Sequence, residues 1–145
     1  MGYGPMCPLL SGSAQVYRRL RSIVVTTLIV DDEPDMRLLI GMSLTLDGAC
    51  EVTAEAENGE AALAAWEKER PDVVVLDMRM PGMTGLDVAR RIFEKDPTQP
   101  IVLCSAYLDQ ADRDEAARIG VRACIDKTDI TRLAEVVVAV AGRAA

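Results

Sequence analysis

Asp77 follows Val73-Val74-Val75-Leu76, four aliphatic residues in a row, and Pro81-Gly82 turns the chain away shortly afterwards. A short, continuously apolar run bounded by turn residues reads as a strand buried on both faces, as in a parallel sheet. Asp77 therefore stands where such a strand emerges. Other strand-like runs also end on polar groups: Ile23–Val30 on Asp31-Asp32-Glu33, the run from Ile101 on Ser105, and Val121–Ile125 on Asp126-Lys127. Each has a plain reading in isolation, the acids as helix-N-terminal residues, Ser105 as a turn residue, Lys127 as a solvated charge. In a parallel sheet they share one edge, and ligands of open α/β sheets collect outside the carboxyl ends of the strands. Three crowded carboxylates repel one another and call for a cation. Hard oxygen ligands in a half-open site suit Mg²⁺, which keeps waters and pairs with phosphate. A carboxylate can be a nucleophile that forms an aspartyl phosphate, and phosphoryl transfer needs charge neutralisation more than covalent help. Three acids, an ammonium and a hydroxyl are the parts for that reaction.

The elements that would position these groups alternate along the chain. Pro34 suits the first turn of a helix, with the preceding acids at the positive end of its dipole. Met36, Leu39, Ile40 and Ser43, widened by Leu38, Met42 and Leu46, predict a well-buried helix over 34–46. Cys50–Ala54 is a short second strand, and residues 58–69 form the next helix, closed by Arg70-Pro71. Thr84-Gly85-Leu86-Asp87 resembles a capping box with Asp in place of Glu, opening a helix to about Lys95. Asp109–Ile119 is an Ala-rich, charged helix stopped by Gly120. Asp129 is expected to cap a last helix carrying Ile130, Leu133, Val136, Val137 and Val140. Five strand–helix units in strict alternation imply a parallel sheet with helices on both faces. Residues 1–22, rich in Gly, Pro and Ser with a short basic piece from Gln15 to Ser22, read as a flexible leader. Residues 23–145 then form one domain, with no linker to another.

Composition narrows the function classes. Half the residues are hydrophobic but only 3% are aromatic, so the core is built from Val, Leu, Ile, Ala and Met. The net charge is −7, while Arg18, Arg19 and Arg21 are uncompensated within residues 1–27. The remainder is more acidic still, and such a body repels phosphate backbones, which argues against direct nucleic-acid binding. With no histidine anywhere, Ser-His-Asp and Cys-His catalysis and His-ligated zinc are excluded. Cys7, Cys50, Cys104 and Cys124 lack C-x-x-C spacing, and three of them lie in apolar strand-like runs, which favours buried reduced thiols. No apolar run approaches the ~18–20 residues of a membrane span, and the start is not a signal peptide. The chain reads as cytoplasmic.

The motifs Leu28-Ile29-Val30-Asp31-Asp32-Glu33, Leu76-Asp77-Met78-Arg79-Met80-Pro81-Gly82-Met83-Thr84-Gly85, Cys104-Ser105-Ala106 and Asp126-Lys127 resemble the receiver domain of two-component response regulators, the stand-alone chemotaxis type in particular. The resemblance covers about residues 27–142. It implies a flavodoxin-like three-layer sandwich whose five-stranded parallel sheet has the order 2-1-3-4-5. It further implies that Asp77 accepts a phosphoryl group from a phosphohistidine on a sensor histidine kinase or phosphotransfer protein. Asp32, Asp77 and the backbone carbonyl of Arg79 would bind Mg²⁺ directly, and Asp31 through water. Ser105 and Lys127 would each contact a phosphoryl oxygen. Phosphorylation would then repack the face of the fourth helix, fifth strand and fifth helix, where a downstream protein target or a second copy would dock. Two positions depart from the family pattern. Cys124 replaces the usual aromatic three residues before the lysine, and Thr128 replaces the proline after it, which predicts a trans, looser loop. Tyr107, two residues after Ser105, is the aromatic expected to take over part of the switching role of Cys124's position.

Two other function classes compete. A haloacid-dehalogenase-type phosphatase also uses a nucleophilic Asp after a strand, but needs a second Asp two residues on, where Arg79 stands, and a cap domain. A receiver-like interaction module without phosphorylation typically loses an acid or the lysine, and all are present here. The chain therefore reads as a signalling domain and not an enzyme.

Overall fold

The computed structural model describes residues 23–142. Five parallel strands, β1 (Val25–Val30), β2 (Cys50–Ala56), β3 (Val73–Leu76), β4 (Ile101–Ser105) and β5 (Ala123–Asp126), form one sheet in the order β2-β1-β3-β4-β5. They are connected by α1 (Pro34–Thr45), α2 (Gly59–Glu69), α3 (Gly85–Lys95) and α4 (Gln110–Ile119). A 3₁₀ segment, Lys127–Arg132, leads into α5 (Leu133–Val140). The expected fold class and strand order are both present.

The period-2 geometry of the strands splits the core in two. Val73, Val75, Val102 and Cys104 face α1 and α5, packing with Ile40, Leu44, Leu133 and Val137. Val74, Leu76, Ile101 and Leu103 face the opposite layer, with Trp66 of α2, Ile92 of α3 and Ala116 of α4. All eight of these strand residues are buried, as the uninterrupted apolar runs require. The single tryptophan is the largest buried side chain. Its indole N–H donates to Gln99 Oε1 at 2.8 Å, so the bulk is buried without stranding its donor.

Several local expectations shift. The first strand begins at Val25, not Ile23, and the second runs on to Ala56, with a register shift opposite Thr27/Leu28 that adds one residue to β2. The fifth begins at Ala123, because the chain is still leaving α4: Gly120 takes φ 111° and Val121 N–H bonds back to Ala116. Asp126, not Asp129, caps the turn after β5, its carboxylate accepting the Thr128 N–H at 2.9 Å. The expected helix from Asp129 is 3₁₀ until Leu133, and all described peptide bonds, including that to Thr128, are trans. The largest correction concerns α1. Only Ile40 and Leu44 of its apolar residues are buried, while Leu38, Leu39, Met42 and Leu46 are 52–89% exposed. The apolar stripe is wider than the sheet can cover. The expected leader, residues 1–22, and the chain's last three residues lie outside the described residues.

Candidate functional site

The polar groups that end β1, β3, β4 and β5 converge at one edge of the sheet. Backbone hydrogen bonds fix the first two: Asp77 N–H donates to Val30 at 2.8 Å and Asp31 N–H to Ala56 at 3.1 Å, continuing the parallel ladders up to the carboxylates. Asp31 is fully buried and Asp77 is 5% exposed, whereas Asp32 is half-buried. One carboxylate oxygen from each of Asp31, Asp32 and Asp77 lies within 4.8 Å of the others. The Lys127 ammonium, its side chain 11% exposed, reaches Asp31 Oδ2 at 2.8 Å and Asp77 Oδ2 at 3.5 Å. Ser105, buried beside them at the end of β4, directs its hydroxyl to the Tyr107 carbonyl at 3.4 Å. Five of the residues singled out from sequence thus meet: Asp31, Asp32, Asp77, Ser105 and Lys127.

The electrostatics follow from this crowding. Burial pushes the Asp77 carboxyl above the ordinary carboxylate range, and the Asp31 charge pushes it further. Lys127 and the Ser105 hydroxyl act in the opposite direction and do not cancel it. For Lys127, burial favours the neutral amine, but the hydrogen bond to Asp31 and the charges of Asp77 and Asp31 outweigh it. The ammonium is held above its usual value. The site is a cluster of acids with one cation locked against them.

That arrangement fits Mg²⁺. Asp31 Oδ2 is buried and faces no polar partner but the Lys127 ammonium, while Oδ1 accepts the Glu33 N–H at 2.9 Å. The set is all oxygen and half-open through Asp32, the donor chemistry of a hard cation that retains waters.

Two positions expected to matter, Tyr107 and Cys124, lie apart from this cluster. The Arg79 side chain, as distinct from the main-chain carbonyl expected to meet the metal, turns outward to pair with Asp112 of α4 at 3.6 Å. Tyr107 is 64% exposed. Cys124 is half-buried and packs against the α2–α4 side of the sheet, where burial raises its thiol pKa. Cys50, Cys104 and Cys124 are free thiols, as anticipated, and burial raises Cys104, directly before Ser105, to about 12. Cys7 lies outside the described residues.

Two supporting residues escape the sequence reading. A side chain at Gly85 would place its Cβ 2.3 Å from the Asp77 carbonyl oxygen, so only glycine lets the start of α3 approach the phosphoacceptor candidate this closely. Its N–H also donates to Met78 at 2.9 Å, closing the loop after β3. The signal was present as the glycine inside Thr84-Gly85-Leu86-Asp87, and that capping box does form. Arg37 donates to the Asp31 carbonyl at 2.7 Å and pairs with Glu55 at 3.6 Å, pinning the β1–α1 junction. Nothing in its spacing announced that role.

Known proteins share this architecture. The chemotaxis protein CheY of Listeria monocytogenes is 40% identical over 100 residues, covering 69% of this chain and 83% of its own. The receiver domain of AraT from Geobacillus stearothermophilus superposes with a TM-score of 0.71 at 36% identity, over 81% of this chain and 93% of its own. The signal receiver domain of NarL from Mycobacterium tuberculosis gives 0.71 at 31% identity, over 79% of this chain and 96% of its own. The response regulator receiver domain family matches residues 27–138. With the acid cluster, the half-buried Lys127 and all but the first two residues of the 2-1-3-4-5 sheet inside that span, the chain belongs to the response regulator receiver domain family.

Proposed function

We propose that this receiver is switched by phosphorylation of Asp77, with Mg²⁺ held by Asp31, Asp32, Asp77 and the main-chain carbonyl of Arg79. The observation that carries the reading is Lys127, whose ammonium is poised between Asp31 and Asp77 at 2.8 and 3.5 Å at the mouth of an acid cluster. In the step itself an Asp77 carboxylate oxygen attacks phosphorus, the phosphorus–nitrogen bond of a phosphohistidine donor breaks, and the imidazole leaves to take up a proton. An acyl phosphate remains on Asp77. Phosphoryl transfer of this kind is accelerated by positioning and charge stabilisation. Lys127 can leave Asp77 Oδ2 for a phosphoryl oxygen while keeping Asp31, and Ser105 needs only to exchange its long contact with the Tyr107 carbonyl. Mg²⁺, when bound, neutralises charge on the transferring oxygens.

The donor is a sensor histidine kinase or phosphotransfer protein, since the chain has no histidine of its own. The output is a protein-binding face formed by α4, β5 and α5, where a downstream target or a second copy docks. Tyr107, exposed at the loop between Ser105 and α4, is the aromatic element of the switch in place of Cys124. The acidic body and the described helices, none long and apolar enough to cross a membrane, agree with a protein partner over nucleic acid or lipid. The proposed setting is the cytoplasm.

The test is incubation with acetyl phosphate and Mg²⁺ followed by intact-mass measurement. The expected result is a gain of about 80 Da, labile to alkali, which chelation of Mg²⁺ and Asp77→Asn both abolish. No gain, or a gain that survives Asp77→Asn, overturns the proposal.

A further inference from the structure

A groove among the described residues lies away from the acid cluster. It encloses about 840 Å³ between α1 and the β2–α2 side of the sheet edge, with Leu38, Gly41 and Met42 on one wall and Val52, Glu55 and Glu57 on the other. Leu38 and Met42, one helical turn apart, are 62% and 59% exposed, although nothing in the fold requires apolar residues there. The surroundings are strongly acidic. Within residues 31–60 Arg37 is the single basic residue, already engaged with Asp31 and Glu55, and Asp35, Glu51 and Glu57 are exposed nearby.

The chain also carries a segment complementary to this groove in charge and apolar spacing. Val25 N–H bonds to Ala49 at 3.0 Å and Val25 is paired with Cys50. The chain therefore enters β1 beside the start of β2, an edge strand, close to the end of α1 at Thr45. Gln15–Ser22 holds Arg18, Arg19 and Arg21 with no acid, and its Val16 and Leu20 are four residues apart, continued by Ile23, itself 58% exposed. Twelve residues of α1 span ~18 Å, a fraction of what the 22 residues before Ile23 can cover when extended.

We propose that Gln15–Ser22 docks back into the α1–β2 groove of its own chain, with Val16 and Leu20 against Leu38 and Met42 and the arginines along the Glu55–Glu57 rim. Intramolecular docking needs little intrinsic affinity, because the tether supplies a high effective concentration. The arginines contribute through charge, which makes the docking salt-sensitive.

The test uses the full chain and backbone amide NMR, comparing the parent with Leu20→Asp, a change outside the described residues. Expected are shifts confined to residues 34–57 and at least threefold faster amide exchange at the exposed end of α1. Met42→Asp should produce the same changes, with no further effect when Leu20→Asp is added. Raising salt to about 0.5 M, where the Debye length falls below ~5 Å, should move the parent toward the variants. Three outcomes overturn the proposal: no response of residues 34–57 to Leu20→Asp, a response centred on α4, β5 and α5, or parent shifts that vanish on dilution, which would assign the groove to a second copy.

Discussion

At the scale of single residues, Lys127 and Asp31 depend on each other. The ammonium is needed because Asp31 is fully buried and charged, and Asp31 is tolerated because the ammonium is 2.8 Å away. Removing one partner of such a pair leaves an uncompensated buried charge, which costs far more than the pair contributes. Lys127→Met should therefore destabilise the metal-free protein by roughly 3 kcal/mol in urea unfolding at neutral pH. Millimolar Mg²⁺ should return a substantial part of that loss, because a cation can take over the neutralising role. A variant as stable as the parent in chelator would show that the Lys127–Asp31 pair does not carry this part of the stability. Tyr107 raises a separate question of switching. With its ring 64% exposed, it is free to fold over Asp77 or stay out. Tyr107→Ala is expected to change the half-life of phosphorylated Asp77 by more than twofold, and a smaller change, under about 0.5 kcal/mol of coupling, would leave it a plain surface residue.

At the scale of elements, α3 is the one whose placement the site cannot do without. Its start is fixed by Thr84, which accepts the Asp87 N–H at 3.2 Å while Asp87 returns to the Thr84 N–H at 3.0 Å. It also closes to within van der Waals contact of the Asp77 main chain at Gly85. A methyl group there meets backbone, which cannot rotate aside, so Gly85→Ala should push the α3 start and the Asp77 loop apart. The expected cost is about 2 kcal/mol, with a slower gain of phosphoryl mass from acetyl phosphate. Thr84→Ala, which loses only the cap, should cost about 1 kcal/mol and leave that rate nearly unchanged. Equal effects of the two substitutions on the rate would show that the cap, and not the close approach, positions Asp77.

These elements also mark how far the sequence could be read. Strands buried on both faces declare themselves as unbroken apolar runs, which is why β3 and β4 and the polar groups that end them were legible, and the capping box of α3 with them. Helix α1 was not. Periodicity reports that Leu38, Leu39, Met42 and Leu46 share a broad stripe with Ile40 and Leu44, but not how much of that stripe an edge strand can cover. The turn after β5 was misread because Asp126 and Asp129 are both adequate cap residues, and the choice between them depends on where β5 ends, which pairing with β4 decides. Gly85 and Arg37 act through contacts with residues distant in the chain or with main chain, and no local pattern encodes such contacts.

At the scale of the whole molecule, the fold carries a site that works against its own stability, and Asp77 makes that measurable. Burial and the Asp31 charge hold its carboxyl above the ordinary value of 3.8. Between that value and the raised one, the folded protein keeps a proton that the unfolded chain has already released. The native state then binds more protons, so stability falls as pH rises through the window and remains lower above it. Lys127 works the other way: its raised pKa contributes stability that is complete below its ordinary 10.5 and is lost only as pH rises through the higher folded value. From acid to neutral pH the Asp77 contribution therefore changes while that of Lys127 does not. Asp77→Asn removes the titrating group and keeps nearly the same shape. In chelator, the variant should match the parent below about pH 3.8 and become progressively more stable than it as pH rises to neutrality, read as a higher Tm. Lys127 retains Asp31 as its partner in the variant, so the difference isolates Asp77. Adding Mg²⁺ should stabilise the parent more than the variant and close the gap, since a cation relieves the same repulsion. A gap independent of pH would trace the gain to packing, and a variant less stable than the parent at neutral pH would mean that Asp77 is held in its charged form more comfortably than burial beside Asp31 allows.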